Sequence, residues 1–225
     1  MHQGQTISLK EKAYDKNSRF VIALDGPSAS GKGAIGKMLA ADFNLQYVQS
    51  SIVYRGLAYL CIINNVDVTD IDRIIKFSEN TDLIEVVKAI DLNQENIGNY
   101  ASKISAIPDV RANLNKHLIK MIQTNPRIIM EGRDIATVVA KDADVKIFIT
   151  ADVHKRAMRR YKQLQEQGKK CILSDVLKLL EERDLRDSSR ETAPLSIAPG
   201  ALVIDTSDMT QEQVILRIKN YIELG

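Results

Sequence analysis

Phe20-Val21-Ile22-Ala23-Leu24-Asp25-Gly26-Pro27-Ser28-Ala29-Ser30-Gly31-Lys32-Gly33-Ala34 is the stretch on which the fold turns. Its first six residues are rich in branched apolar side chains and stop at a glycine, so they read as a buried strand. Helical patterning follows through Lys37, Met38, Leu39 and Ala40. Between strand and helix lies GxxxxGK, running from Gly26 to Lys32. In that context the string is a phosphate-binding loop. Its glycines allow backbone angles that aim successive N–H groups into one concavity, and the helix start adds free donors and a partial positive charge. Lys32 is long enough to reach the terminal phosphates of a nucleoside triphosphate. Gly26, Pro27, Ser28, Ala29, Ser30, Gly31, Lys32, Gly33 and Ala34 are therefore the expected residues around a nucleoside triphosphate's phosphate tail. Ser or Thr usually follows the lysine and helps hold Mg²⁺. Here Gly33 and Ala34 carry no hydroxyl, so the cation is expected to ride on the phosphates, with Glu131 as a contributor through water and no direct protein ligand.

Working outward, the same apolar pattern returns in RIIMEG (127–132), VKIFIT (145–150) and ALVIDT (201–206), and more weakly in LQYVQS (45–50). Near-continuous apolar strands suit a parallel sheet covered on both faces. Helical periodicity falls at about 52–64, 109–123, 152–167, 174–187 and 210–223. Strand and helix alternate, which predicts an α/β fold around a five-stranded parallel sheet with helices on both faces. The polar start, 1–19, reads as a flexible extension. Residues 65–100, acidic and rich in Asn, read as an insertion, and 168–200 as a second irregular stretch able to cover a site.

Composition narrows the function. The chain has 225 residues, 44% hydrophobic and 27% charged, which excludes wholesale disorder. Aromatics are 5% with no Trp, which argues against a stacking surface for single-stranded nucleic acid. The net charge of +2 gives no general case for nucleic acid or an anionic membrane. Cys61 and Cys171 stand far apart outside any CxxC pair, consistent with inert thiols in a reducing compartment. The start lacks the apolar segment of a signal peptide, so a cytoplasmic location is expected. His117 and His154 read as ordinary helix residues.

Further motifs add to the GKG loop: Tyr54-Arg55 in SIVYRGLAYL, Gly132-Arg133-Asp134 in IIMEGRDIATVV, and Glu182-Arg183-Asp184 with Arg186, Asp187 and Arg190 in LEERDLRDSSRETAPL. In order and spacing they resemble bacterial cytidylate kinases among the nucleoside monophosphate kinases, from about Phe20 to the C-terminus. The resemblance implies transfer of the γ-phosphoryl group of ATP to CMP or dCMP, with Mg²⁺ as cofactor. It implies a core (20–64, 101–153 and 191–225), a nucleoside-monophosphate-binding insertion (65–100) and a lid region (154–190). It places Ser50, Arg55, Ser102, Arg111, Arg133, Asp134, Arg183, Asp187 and Arg190 on CMP, with Asp134 accepting from the cytosine amino group. Lys32, Arg133, Arg156 and Arg160 would act on the transferring phosphoryl group. The expected partners are ATP and CMP or dCMP, bound by a monomer, with neither nucleic acid nor membrane.

Two departures stand out. The family usually has Asp, then Ser or Thr, then Gly four residues before the Tyr-Arg, where this chain has Gln49-Ser50-Ser51, and Ala34 replaces the hydroxyl after GKG. Two alternatives stay open at this point: a kinase of the same fold for another small acceptor such as UMP, and a nucleotide-binding module of weak catalytic power.

Overall fold

The computed structural model of the chain describes residues 8–81, 83, 86, 92 and 94–225. Part of the expected insertion, and residues 1–7 of the expected extension, fall outside them. The chain divides into two compact units, one of Met1–Tyr47 with Pro126–Gly225, the other of Val48–Asn125.

Five strands, β1 (Phe20–Asp25), β2 (Gln46–Gln49), β3 (Arg127–Glu131), β4 (Val145–Thr150) and β5 (Leu202–Asp205), form one sheet in the order β2-β3-β1-β4-β5, all but the end of β2 lying in the first unit. β1 pairs in parallel with β3 and with β4, and β4 pairs in parallel with β5. Every residue of β1 is buried, as a central parallel strand requires. Helix α2 (Lys32–Asp42) follows β1 directly. One core cluster joins Ile22 and Leu24 of β1 to Ile147 and Ile149 of β4, Ile35 and Leu39 of α2, and Val214 and Ile218 of α9 (Gln211–Leu224). Strand order changes direction around β1, so the carboxyl end of β1 lies where open α/β sheets place their ligands.

The expectation of a loose start is corrected for residues 8–19. Leu9–Tyr14 form a helix, α1, opened by a capping box between Ser8 and Glu11 and packed against α9. Ala13 is part of the core. The decisive anchor is Arg127 of β3. One terminal nitrogen donates to the carbonyls of Lys12, Asp15 and Ser18, and the other to those of Ala13 and Phe43. Lys12 and Arg19 both pair with Asp144, whose carboxylate also accepts from Val21 N. A six-residue helix is far too short to stand alone, so these non-local bonds hold it. The S-x-x-E signature at Ser8–Glu11 was the legible signal.

Helices α7 (Val153–Glu166) and α8 (Leu173–Ser189) form a pair around Ala157, Val176 and Leu180. Leu173–Ser189 form one 17-residue helix, as the periodicity over 174–187 predicts, so that within the irregular stretch 168–200 only 168–172 and 190–200 are connections.

The second unit holds α3 (Ser51–Ile63), α4 (Ile71–Asn80), α5 (Glu95–Ile104) and α6 (Pro108–Thr124). α3 packs on α4, α5 and α6, and Val53, Leu57, Ile74, Ile97 and Leu114 of these helices are all buried. Val48–Asn125 is wider than the expected insertion of 65–100, because α3 and α6 pack within this unit.

Candidate active site

The loop from β1 to α2 has the geometry its glycines foretell. Gly26 has φ +144°, and a Cβ there would lie 1.9 Å from the carbonyl oxygen of Ile149, so only glycine fits. Ala29 takes the left-handed conformation at φ 59°. Gly31, at φ +95°, is the residue before α2 and provides no side-chain cap. The first N–H groups of a helix have no partner inside it. Here the positive end of the helix stands behind them, an arrangement that suits an anion. A cleft of about 680 Å³ opens beside Pro27, lined by Phe148, Val153, Arg156, Asp184 and Leu195 among others, a size that ligands of nucleotide class fill.

Lys32 folds back into its own loop. Its Nζ donates to Pro27 O at 2.6 Å and to Ser30 Oγ at 3.3 Å, and the residue is 3% exposed. Burial is the main cause that holds its ammonium well below the usual lysine range. Arg133 and Arg183 push the same way, and Glu131 and Asp25 oppose them. An arriving phosphate supplies the negative charge this site lacks and favours the charged lysine.

Two carboxylates stand near it. Asp25, the last residue of β1, is 2% exposed and accepts from Ile135 N at 3.0 Å and Ala136 N at 2.8 Å. Burial pushes its carboxyl up to about 6, and the two amide bonds offset part of that rise. Glu131, the last residue of β3, accepts a hydrogen bond from the Tyr47 hydroxyl. The Tyr47 ring reaches it by passing over Gly36, where a Cβ would come within 2.6 Å of the ring. Sequence reading missed Tyr47 and Asp25. A lone charge closing an apolar strand was the available signal for Asp25.

The arginines fall into two groups. Arg156 is buried and braced: Nε donates to Ala151 O at 2.9 Å, and one terminal nitrogen reaches Ser28 O at 3.2 Å and Asp184 Oδ2 at 2.6 Å. It ties the phosphate loop to α8. Arg160, also expected to act on the transferring group, bonds Gln163 at 2.7 Å. Arg159 donates to Thr206, whose hydroxyl lies 3.2 Å from Ser30 O. Thr206 thus supports the loop from β5's end, and nothing local in the sequence marks it. The second group gathers on one carboxylate. Asp187 receives Arg133 at 3.0 Å, Arg190 at 3.5 Å and Arg183 at 4.0 Å. Asp134 is buried at the start of a π-helical turn, Ile135–Val139. The structure thus brings Arg133, Arg183, Asp187 and Arg190 together.

The remaining expected residues lie in the second unit. Arg55 donates to Leu92 O at 2.7 Å, and its guanidinium lies against Gly98. Arg111 is buried, donates to Ser105 O at 3.0 Å and stands over the Tyr54 ring at 5.6 Å. Ser50 is buried at the start of α3, and Ser102 is half-buried on α5. Among the described residues no group of three or more His, Cys, Asp or Glu side chains is placed to hold a metal, and no helix is long and apolar enough to cross a membrane.

Comparison with known proteins agrees with this geometry. Residues 22–224 match the family model described as cytidylate kinase. The chain is 54% identical over 217 residues to a cytidylate kinase of Rickettsia rickettsii (strain Sheila Smith), covering 96% of this chain and 98% of that protein. It is 56% identical over 215 residues to one of Rickettsia bellii (strain OSU 85-389), with the same coverage. A crystal structure of an uncharacterized protein from Eubacterium ventriosum ATCC 27560 shares the fold at TM-score 0.52 and 14% identity, over 92% of this chain and 100% of that one. A buried lysine folded into a glycine-lined, uncapped helix end, arginines gathered beside it, and a match over nearly the whole length lead to one assignment: this chain belongs to the cytidylate kinase family.

Proposed function

We propose that the protein acts as a cytoplasmic monomer that transfers the γ-phosphoryl group of ATP to CMP or dCMP, giving ADP and CDP or dCDP. The observation that carries this reading is Lys32, buried in the mouth of the uncapped α2 helix within the electrostatic reach of Arg133. Phosphoryl transfer needs alignment, neutralised charge and exclusion of water, with no covalent enzyme intermediate. The N–H groups from Gly26 to Ala34 hold the donor phosphates. Lys32 exchanges Pro27 O for oxygens of the transferring group. Arg133 exchanges Asp187 for the acceptor phosphate, with Arg183 and Arg190 beside it. A guanidinium presents a flat fork that suits phosphate oxygens.

Asp134 accepts from the cytosine amino group. On the second unit, Arg55 and Arg111 are the proposed phosphate partners, and Ser50 and Ser102 the hydroxyl partners. Arg160 joins the transferring group, while Arg156 acts by holding Ser28 in place. The donor set fits a cation carried by the triphosphate: Gly33 and Ala34 offer no oxygen side chain, and Glu131, steadied by Tyr47, is the carboxylate that would hold it through water. When bound, Mg²⁺ supplies charge neutralisation on the phosphates.

The test is a coupled ADP-release assay with ATP and Mg²⁺, offering CMP, dCMP, UMP, AMP and GMP separately. The expected result is turnover strongest with CMP or dCMP. Turnover with another acceptor alone, or with none in folded protein that binds ATP, overturns the reading.

A further inference from the structure

The segment Gly132–Ala136 is pinned to β1 at both ends. Gly132 N donates to Leu24 O at 3.0 Å, and Ile135 N and Ala136 N donate to the Asp25 carboxylate. Only Arg133 and Asp134 lie between the pins. The residue after Asp25 is Gly26, the first of the phosphate loop. A single side chain therefore connects the donor-phosphate loop to the two residues proposed to meet the acceptor. Its chemistry suits that task. A carboxylate has two oxygens and can accept from two adjacent amides at once, whereas an asparagine or serine has one such acceptor to offer. Asp25 lies at the floor, almost wholly buried, with Lys32 and Asp134 as its charged neighbours. Placing a carboxylate there is costly, and an apolar strand end would be the cheaper way to finish β1.

We propose that Asp25 is a positioning residue for acceptor use, fixing Arg133 and Asp134 in register with the phosphate loop through the amides of Ile135 and Ala136. The inference rests on the acceptor roles proposed above for Arg133 and Asp134. Asp25 itself meets neither nucleotide and acts only through those two amides. Its loss should separate the two substrates: the donor still finds its loop, while the acceptor finds misplaced partners.

The experiment compares wild type with Asp25→Asn and Asp25→Ala. It measures the Kd of ATP without acceptor, kcat and KM with CMP, and hydrogen–deuterium exchange over 130–140. Asp25→Asn keeps the shape and one acceptor oxygen, so it serves where Asp25→Ala does not fold. In Asp25→Asn, exchange at Ile135 and Ala136 should quicken about tenfold and KM for CMP should rise about tenfold, the effect of losing one hydrogen bond to a charged group. The Kd of ATP should stay within about twofold, and Asp25→Ala should be worse than Asp25→Asn for CMP. Faster exchange with unchanged CMP kinetics overturns the inference, because the bond would then be structural only. Equal losses for ATP and CMP overturn it too. Wild type active on CMP with Asp25→Asn unaltered sinks this inference alone, whereas wild type inert with every acceptor sinks the proposed function and this inference together.

Discussion

Two strand-to-helix junctions of the same sheet, β1 to α2 and β4 to α7, solve the same problem in opposite ways. At the start of α7, Asp152 accepts from the amides of His154 and Lys155, closing the exposed helix end with its own carboxylate. The start of α9 is closed likewise by a capping box between Thr210 and Gln213. At the start of α2 the corresponding residue is Gly31, left-handed and without a side chain, and the next is a buried lysine. Asp152 and Thr210 complete their helices from within the chain. Gly31 leaves completion to a ligand. The difference teaches that the proposed anion site joins an uncapped helix end, which α3, α5, α6 and α8 share, to a left-handed glycine, a buried lysine and a loop whose backbone is held by Arg156 and Thr206.

That contrast can be broken by experiment. If the open junction serves the ligand, its lysine should matter for turnover and not for folding. Lys32→Met should lower kcat about 10²–10³-fold or more, while the melting temperature holds or rises, because burial already disfavours the charged form. A melting temperature that fell with activity would make Lys32 structural. The glycines sharpen the same point. Gly26→Ala should destabilise by about 3 kcal/mol or more in urea unfolding, since its Cβ would run into Ile149 O. Gly31→Ala, with open space around it, should cost only the left-handed backbone, about 1–2 kcal/mol.

The open junction also carries a pH signature. Folding raises the Asp25 carboxyl from 3.8 to about 6, so between these values the folded protein holds a proton the unfolded chain has lost. Asp25's contribution is then most favourable below about pH 4 and fades as pH rises to about 6, a span of roughly 3 kcal/mol at most. Unfolding free energies of wild type and Asp25→Asn over pH 4–6.5 should diverge along that slope. Parallel profiles would refute it. The smallest effect belongs to the closed junction. Asp152→Ala should cost about 1 kcal/mol of stability and leave kcat/KM within about twofold.

What could be read in the sequence follows the range of the interactions involved. The phosphate loop was legible because its chemistry is local: glycines, lysine and helix start lie within a few residues. Five strands and the principal helices were legible from apolar spacing. The breadth of the second unit was not, because the apolar faces of α3 and α6 look the same whichever core they fill. Helix α1 escaped notice because its main anchor, Arg127, lies over a hundred residues downstream and reads as the edge of a strand. Among candidate site residues, Arg133, Arg183, Asp187 and Arg190 were each named from the sequence, but their gathering on one carboxylate was not legible there, since Arg133 and Asp187 are 54 apart. Tyr47, Thr206 and Arg159 act on backbone carbonyls or on another side chain, and such support leaves no local pattern.

The Arg127 clasp has a consequence for the order of events during synthesis. Residues 9–14 leave the ribosome early, yet the guanidinium that gathers the carbonyls of Lys12, Ala13, Asp15 and Ser18 is translated 109–115 residues later. At about 5–20 residues per second, that is a wait of roughly 6–20 s. For that interval the first helix has no partner for its carbonyls, and β1, which it helps to cover, has no neighbour in β3. Residues 9–14 are thus among the last to dock, and their arrival reports that the central strands have already come together.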